Sequence, residues 1–169
     1  TVANITVNYI APTVTCPANI TAATDAGTCA AFLNLLPATI NAPCSDIYTV
    51  RYYATGATTI GSAAAPVTLA EIVAVAFNKG TTTVNAIVGT GNFTPFAPAV
   101  TCSYTVTVQD LEPPIAKCKN FTVALDAAGT ATITVADVNA GSSDNCPMVT
   151  VAATPLTFNC TNIGMNAVI

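Results

Sequence analysis

Polar and apolar residues alternate along much of this chain. Tyr104-Thr-Val-Thr-Val108, Phe121-Thr-Val-Ala-Leu125 and Thr132-Ile-Thr-Val135 put apolar side chains at every second position. That is the period of a strand with one buried face. The runs are rich in Val, Ile, Thr, Tyr and Phe, which fit a pleated surface. Turn-forming clusters punctuate them: Asp25-Ala-Gly27, Asn78-Lys-Gly80, Gly89-Thr-Gly-Asn92, Asp126-Ala-Ala-Gly129 and Asn162-Ile-Gly164. No long helical period is present. Leu69–Phe77 admits one or two helical turns, but Val73 and Val75 suit a strand, and strand is the expectation. The pattern predicts an all-β protein.

The pattern also repeats. Pro12-Thr-Val-Thr-Cys-Pro-Ala-Asn-Ile-Thr21 followed by Asp25-Ala-Gly27 returns as Pro114-Ile-Ala-Lys-Cys-Lys-Asn-Phe-Thr122 followed by Asp126-Ala-Ala-Gly129. The Ser-Asp pair beside Cys44 has a counterpart in Ser143-Asp-Asn-Cys146, and Phe77-Asn-Lys-Gly80 is matched by Phe158 to Gly164. The opening Ile5-Thr-Val7 echoes Val106-Thr-Val108. The chain therefore parses as residues 1–9, the last strand of a preceding repeat; residues 10–110, one complete unit; and residues 111–169, the N-terminal part of a following unit. The second unit stops at Ile169, where its penultimate strand should begin, so the chain is expected to be a piece of a longer polypeptide.

Composition narrows the chemistry. Only 7% of residues are charged and the net charge is −4, with 4 Lys and Arg in all, so no basic surface for nucleic acid can form. There is no His, which removes the commonest general base and metal ligand and excludes Ser-His-Asp and Cys-His sites. The 7 Cys include no C-x-x-C spacing, so disulfides in an oxidising compartment are expected rather than zinc. The longest apolar run, Ala63 to Phe77, is interrupted by Pro66 and Glu71 and is too short to span a bilayer.

Thr15-Cys-Pro-Ala-Asn-Ile-Thr21, Asp25-x-Gly-x-Cys29, Gly80-Thr-Thr-Thr-Val84, Thr101-Cys-Ser-Tyr-Thr-Val-Thr-Val-Gln-Asp110 and the linker Asp110-Leu-Glu-Pro-Pro114 together resemble the hyalin repeat (HYR) module. The second unit is similar to a variant found in large surface proteins of Bacteroidota, including gliding adhesins. The resemblance implies tandem immunoglobulin-like β-sandwiches, disulfide-linked, the second incomplete here. It implies an extracellular or cell-surface location, an adhesive role and no catalysis. The first unit departs from the pattern with Pro43-Cys-Ser-Asp46 and with extra sequence at Ile60 to Glu71 and Gly91 to Pro98.

On that framework the preferred cysteine pairing is Cys16–Cys102, Cys29–Cys44 and Cys146–Cys160, with the partner of Cys118 beyond Ile169. First and last strands of such a sandwich can lie side by side and parallel. Loss of a Cys29 equivalent in the second unit, with gain of Cys160, suggests that both serve one partner position. The rival set is Cys16–Cys44, Cys29–Cys102 and Cys118–Cys146, with Cys160 unpaired.

No cofactor is required, but two places could hold Ca²⁺. One is Asp110 with Glu112 at the junction. The other is the run Asp137-Val-Asn139-Ala-Gly-Ser-Ser-Asp144, which lacks the distal bidentate Glu of an EF-hand. The alternative reading is a linker acid and a polar turn. Phe93 and Phe96 sit in a loop before the last strand, where sandwich loops often bind ligands; folding back over the core end is the competing role. The expected function is a non-catalytic structural or adhesive repeat of a surface protein, a stalk or filament. Its partners would be neighbouring repeats and other surface proteins or glycans. The alternatives are a binding module using the Phe93/Phe96 loop and an accessory domain of a secreted enzyme.

Overall fold

A computed structural model describes residues 3–5, 11–43, 47–90, 93–96, 99–147 and 149–169. The expectations for residues 1–9 as a strand and for Cys44 fall largely or wholly outside these. The chain divides into two compact units, Thr1–Leu111 and Glu112–Ile169. It is β-rich, with helix confined to short segments.

The first unit is organised on one sheet in the order β2-β9-β7-β5, with β2 at Ile20–Ala23, β5 at Tyr48–Gly56, β7 at Gly80–Thr90 and β9 at Thr101–Gln109. A short β8, Thr94–Pro95, pairs with the far end of β7. β5, β7 and β9 are antiparallel neighbours, whereas β2 runs parallel to β9, Ile20 opposite Val106 and Ala23 opposite Gln109. Two small antiparallel pairs complete the unit. They are β1 (Thr13–Thr15) with β4 (Thr39–Asn41), and β3 (Ala30–Ala31) with β6 (Phe77–Asn78).

Alternation decides what the sheet buries. Tyr52 and Ala54 of β5, Val84 and Ala86 of β7, and Tyr104, Val106 and Val108 of β9 form one face of the core, meeting Ala31, Leu35, Ala38, Ile72 and Phe77. Ile72 belongs to α1, Leu69–Val73, so the strand expected there is instead a helix. The cause is a capping box. The Thr68 hydroxyl accepts the Glu71 N–H, and the Glu71 carboxylate accepts the Thr68 N–H at 2.6 Å. These local bonds outweigh the β-preference of Val73, and one turn suffices to drop Ile72 into the core.

The second unit repeats part of this plan. In the first, the Asp25 N–H donates to the Ala30 carbonyl and the Thr28 N–H to the Asp25 carbonyl, at 2.8 and 3.0 Å. In the second, the Asp126 N–H donates to the Thr130 carbonyl at 2.8 Å, in a turn one residue shorter, and the Gly129 N–H to the Asp126 carbonyl at 3.0 Å. β10 (Thr130–Thr132) then pairs antiparallel with β11 (Thr157–Asn159), setting Ala131 opposite Phe158 as Ala31 stands opposite Phe77. The Ile115↔Ser143 bridge takes the place of the β1–β4 ladder.

Two strands read from the alternation are not as expected in this unit. Thr132-Ile-Thr-Val135 continues only to Thr132 as strand. Thr134 then caps α2, Val135–Val138, with Asp137 reaching back to its N–H. Phe121–Leu125 is in no ladder, although its alternation is as clean as that of β9. Among the described residues, nothing lies beside it as β9 lies beside β2. The core is correspondingly small, with Ala131, Ile133 and Cys146 its buried apolar members among the described residues.

Candidate functional site

In the first unit the chemistry concentrates where β2 and β9 run together. Cys16 and Cys102 are joined, S–S 2.02 Å and Cα–Cα 5.7 Å, across a sequence separation of 86. The parallel β2–β9 register sets the two cysteines side by side, each just before or within the start of its strand. This excludes the rival pairings Cys16–Cys44 and Cys29–Cys102. Beside the bridge, the Asn19 carboxamide oxygen accepts the Thr105 N–H at 2.8 Å, and at the other end the Thr24 N–H donates to the Gln109 carbonyl at 2.9 Å. β2 is only four residues long, so these bonds extend its grip on β9 at both ends. Asn19 fits the N-x-S/T glycosylation spacing, but in sequence nothing marks it as a strand clamp.

The other cysteines behave differently. Cys29 and Cys146 are each disulfide-bonded, while Cys118 and Cys160 are free and exposed thiols. The expected Cys146–Cys160 bridge is therefore not formed, and neither is Cys118–Cys146. The reason lies in the β10–β11 ladder. Cys160 follows β11 and turns toward Gly129, its thiol 3.7 Å from the Gly129 carbonyl. A β-carbon on Gly129 would stand 2.9 Å from that sulfur. Gly129 occupies the place of Cys29, whose carbonyl accepts the Lys79 N–H from the facing strand. Thus the second unit carries its cysteine on the opposite strand of the same ladder, and the sulfur fills the space left by the glycine.

The calcium candidates do not converge. Asp110 is almost covered (side chain 6% exposed) and is paired with Lys79 Nζ at 3.1 Å, a cation where a metal ion would have to sit. Glu112 falls in the second unit. In the run from Asp137 to Asp144 the two acids and Asn139 serve neighbouring backbone. Asp137 accepts the Thr134 N–H and hydroxyl, Asn139 accepts the N–H groups of Gly141 and Ser142, and Asp144 accepts the Asn145 N–H. The short Asx and capping turns favoured by Asp and Asn point these oxygens inward to the chain. Among the described residues, no three His, Cys, Asp or Glu side chains gather in a metal-ligating group. The Thr134 backbone bond, then the hydroxyl, holds the Asp137 carboxyl below the ordinary range, and Thr130 does the same for Asp126.

Phe93 and Phe96 fold back on the sheet. Phe93, at φ 72°, lies over Gly89 on the outer face, where Arg51 stands 6.0 Å from its ring centre. Phe96 tilts against Tyr48 at 5.7 Å, on the core side of the same strands. Both are half-buried. Gly89 is needed there, since a β-carbon would stand 2.8 Å from the Phe93 ring. The segment thus wraps the β5–β7 end, leaving on the outer face a half-buried Phe93 ring beside the chain's one arginine.

Two buried tyrosines differ in a way the sequence does not mark. Tyr52 accepts the Ala38 N–H at 2.9 Å with its hydroxyl, whereas the Tyr104 hydroxyl is buried without a hydrogen bond. Burial, then the neighbouring Tyr52, pushes the Tyr104 phenol up to about 12.

Fold and site together define a class: a β-rich, disulfide-bonded chain of two units built partly on one plan. None of the described helices is long and apolar enough to cross a membrane. No family model, curated protein or solved structure matches the chain.

Proposed function

We propose that this chain is a non-catalytic mechanical module, two consecutive immunoglobulin-like repeats of the hyalin type from a stalk or filament of an extracellular adhesin. The observation that carries the reading is the Cys16–Cys102 staple at the start of the parallel β2–β9 pair. In a tandem array, tension enters a unit near the start of β1 and leaves it after β9. Without the disulfide that load would cross the β2–β9 ladder in shear; with it, the load passes from Cys16 to Cys102 and bypasses everything between them, β2 included. The Lys79–Asp110 pair fastens the exit point. Low charge and a Thr-rich sheet surface fit a durable external scaffold better than a steered binding site.

Single-molecule stretching tests this directly. In the oxidised chain, opening of the first unit releases only the residues outside the staple. After reduction it gains the separation of 86 residues, or about 300 Å of extended chain at ~3.5 Å per residue. Equal lengths before and after reduction would contradict the mechanical reading.

A binding role for the Phe93–Phe96 segment is favoured by one observation, the half-buried Phe93 ring beside Arg51. Loss of glycan or protein capture in F93A/F96A, with an unchanged melting temperature, would establish it.

A further inference from the structure

β5 stands last in the order of the main sheet, so β7 pairs with it on one side only. Its 9 residues run against β7 without a break, from Tyr48 opposite Thr90 to Gly56 opposite Thr82. The strand at the other edge, β2, has 4 residues. A long, regular edge is a template for another chain, and proteins blunt it with Lys, Pro, a bulge or a cover. Tyr48-Thr-Val-Arg-Tyr-Tyr-Ala-Thr-Gly56 has no Lys, no Pro and no bulge. Its single charge, Arg51, stands on the outer face beside Phe93. Val50, Tyr52 and Ala54 turn apolar side chains to the core.

What β5 has is a cover. The Tyr52 N–H donates to the Val67 carbonyl at 2.8 Å, and the Tyr52 carbonyl accepts the Val67 N–H at 2.7 Å. Ala54 exchanges the same two bonds with Ile60, at 2.8 and 3.1 Å. Both bridges are antiparallel, so Ile60 and Val67 act as one edge strand from which residues 61–66 are looped out. Ser62 and Ala65 close that loop with two backbone bonds of 3.1 Å. Thr58 holds its root: its N–H donates to the Thr82 hydroxyl at 3.0 Å, and its own hydroxyl accepts the Asn78 N–H at 2.7 Å. Ile60 and Val67 also pack against the core. They belong to the stretch Ile60 to Glu71, which is extra to the pattern the first unit resembles. We propose that residues 60–67 are an edge guard that keeps the first unit from pairing with a second copy of this chain, and that their release opens β5 to the β5 of that copy. The outward N–H and C=O groups of Val50, Tyr52 and Ala54 recur at the spacing that the same strand, reversed, requires. Two identical edges meet about a two-fold axis, so the product is a closed dimer and not a filament. The guard rests neither on the repeat resemblance nor on the mechanical reading, which the stretching experiment judges separately.

Sedimentation equilibrium tests this on residues 1–169 in a C118S/C160S background, which excludes exchange through the two exposed thiols. A Gly-Ser linker of equal length in place of residues 60–67 removes both anchors, and cooperative urea unfolding followed by tyrosine fluorescence verifies that the variant folds. It should associate at least about tenfold more tightly than the parent and reach twice the chain mass. Val50 continues the outward series of Tyr52 and Ala54, so V50P removes an outward N–H and leaves the ladder with β7 in place. Added to the linker variant, V50P should restore the monomer. I60P/V67P deletes only the two N–H groups donated to β5; it should associate through the same contact, and it carries the test if the linker variant unfolds. A folded variant that stays as monomeric as the parent overturns the proposal, and so does association that V50P leaves unchanged.

Discussion

The two units start from nearly the same local instructions and end in different states. Asp25 and Asp126 open similar turns, the second one residue shorter; Ala31 faces Phe77 as Ala131 faces Phe158, and each ladder is antiparallel. Yet Phe77 is fully buried, whereas Phe158 is only half-buried, and Ile20–Ala23 is a strand whereas Phe121–Leu125 is not. Judged by alternation, the second of those segments is the better strand. The difference is the neighbour. A strand is defined by inter-strand hydrogen bonds, and the first unit supplies them from a residue stretch over eighty positions away. Turns and short ladders are local and appear in both units; the sheet that makes a core is not, and appears in one.

The largest expected effect comes from removing the staple. C16S/C102S frees a separation of 86 residues and should cost the first unit about 4–5 kcal/mol. All 5 Tyr precede Leu111, so tyrosine fluorescence during urea unfolding reports that unit alone. An unmoved midpoint would show that β2 is held by hydrogen bonds without the disulfide. Next, F77A should cost about 3–5 kcal/mol, since it empties a fully buried site, while F158A should cost only about 1 kcal/mol. Far-UV circular dichroism melts of both variants check this. Equal losses would mean that the second core is as well packed as the first.

Much of this was legible in sequence. The dominance of β and the strand at Tyr104–Val108 follow from period and turn residues. The Phe77–Phe158 correspondence follows too, because Phe-Asn sits at matching positions. Other features were hidden for identifiable reasons. α1 was obscured by Val73 and Val75, although Thr68-Leu-Ala-Glu71 is a capping signature that should have outweighed them. The same signature in Thr134-Val-Ala-Asp137 ends β10 early. Cys146–Cys160 failed because counting cysteines does not show which way a sulfur turns, and Gly129 gives Cys160 a cavity to fill. Asp110 looked like a calcium ligand because Lys79, its partner, is 31 positions away.

A smaller pair of effects separates two tyrosines in one core. Y52F leaves the Ala38 N–H unsatisfied and should destabilise by about 1–3 kcal/mol, whereas Y104F removes an unpaired buried hydroxyl and should stabilise by about 1 kcal/mol. Losses of the same size in both, by urea titration, would place a hidden acceptor at Tyr104.

The smallest effects are those of pH, and they should divide the units. The Asp126 and Asp137 carboxyls of the second unit are held low in the folded chain, so their contribution is present above the ordinary carboxylate range. It is lost as pH falls below about 4. Glu71 adds a similar acid sensitivity to the first unit. The Tyr104 phenol is raised to about 12 against an ordinary value of 10.0, so the unfolded chain ionises first. First-unit stability should therefore be intact below pH 10 and fall as pH rises toward 12. Acid melts that spare the second unit, or alkaline melts that spare the first, would reverse this assignment.

The central claim is that the second unit shares the turn and short ladder of the first, while among the described residues no strand pairs with Phe121–Leu125 as β9 pairs with β2. Hydrogen–deuterium exchange on residues 1–169 measures this most directly. The account predicts slow exchange for the amides of Thr21–Ala23 and of β9, and exchange near the unfolded rate for Thr122–Leu125. Matching protection of both segments would contradict it.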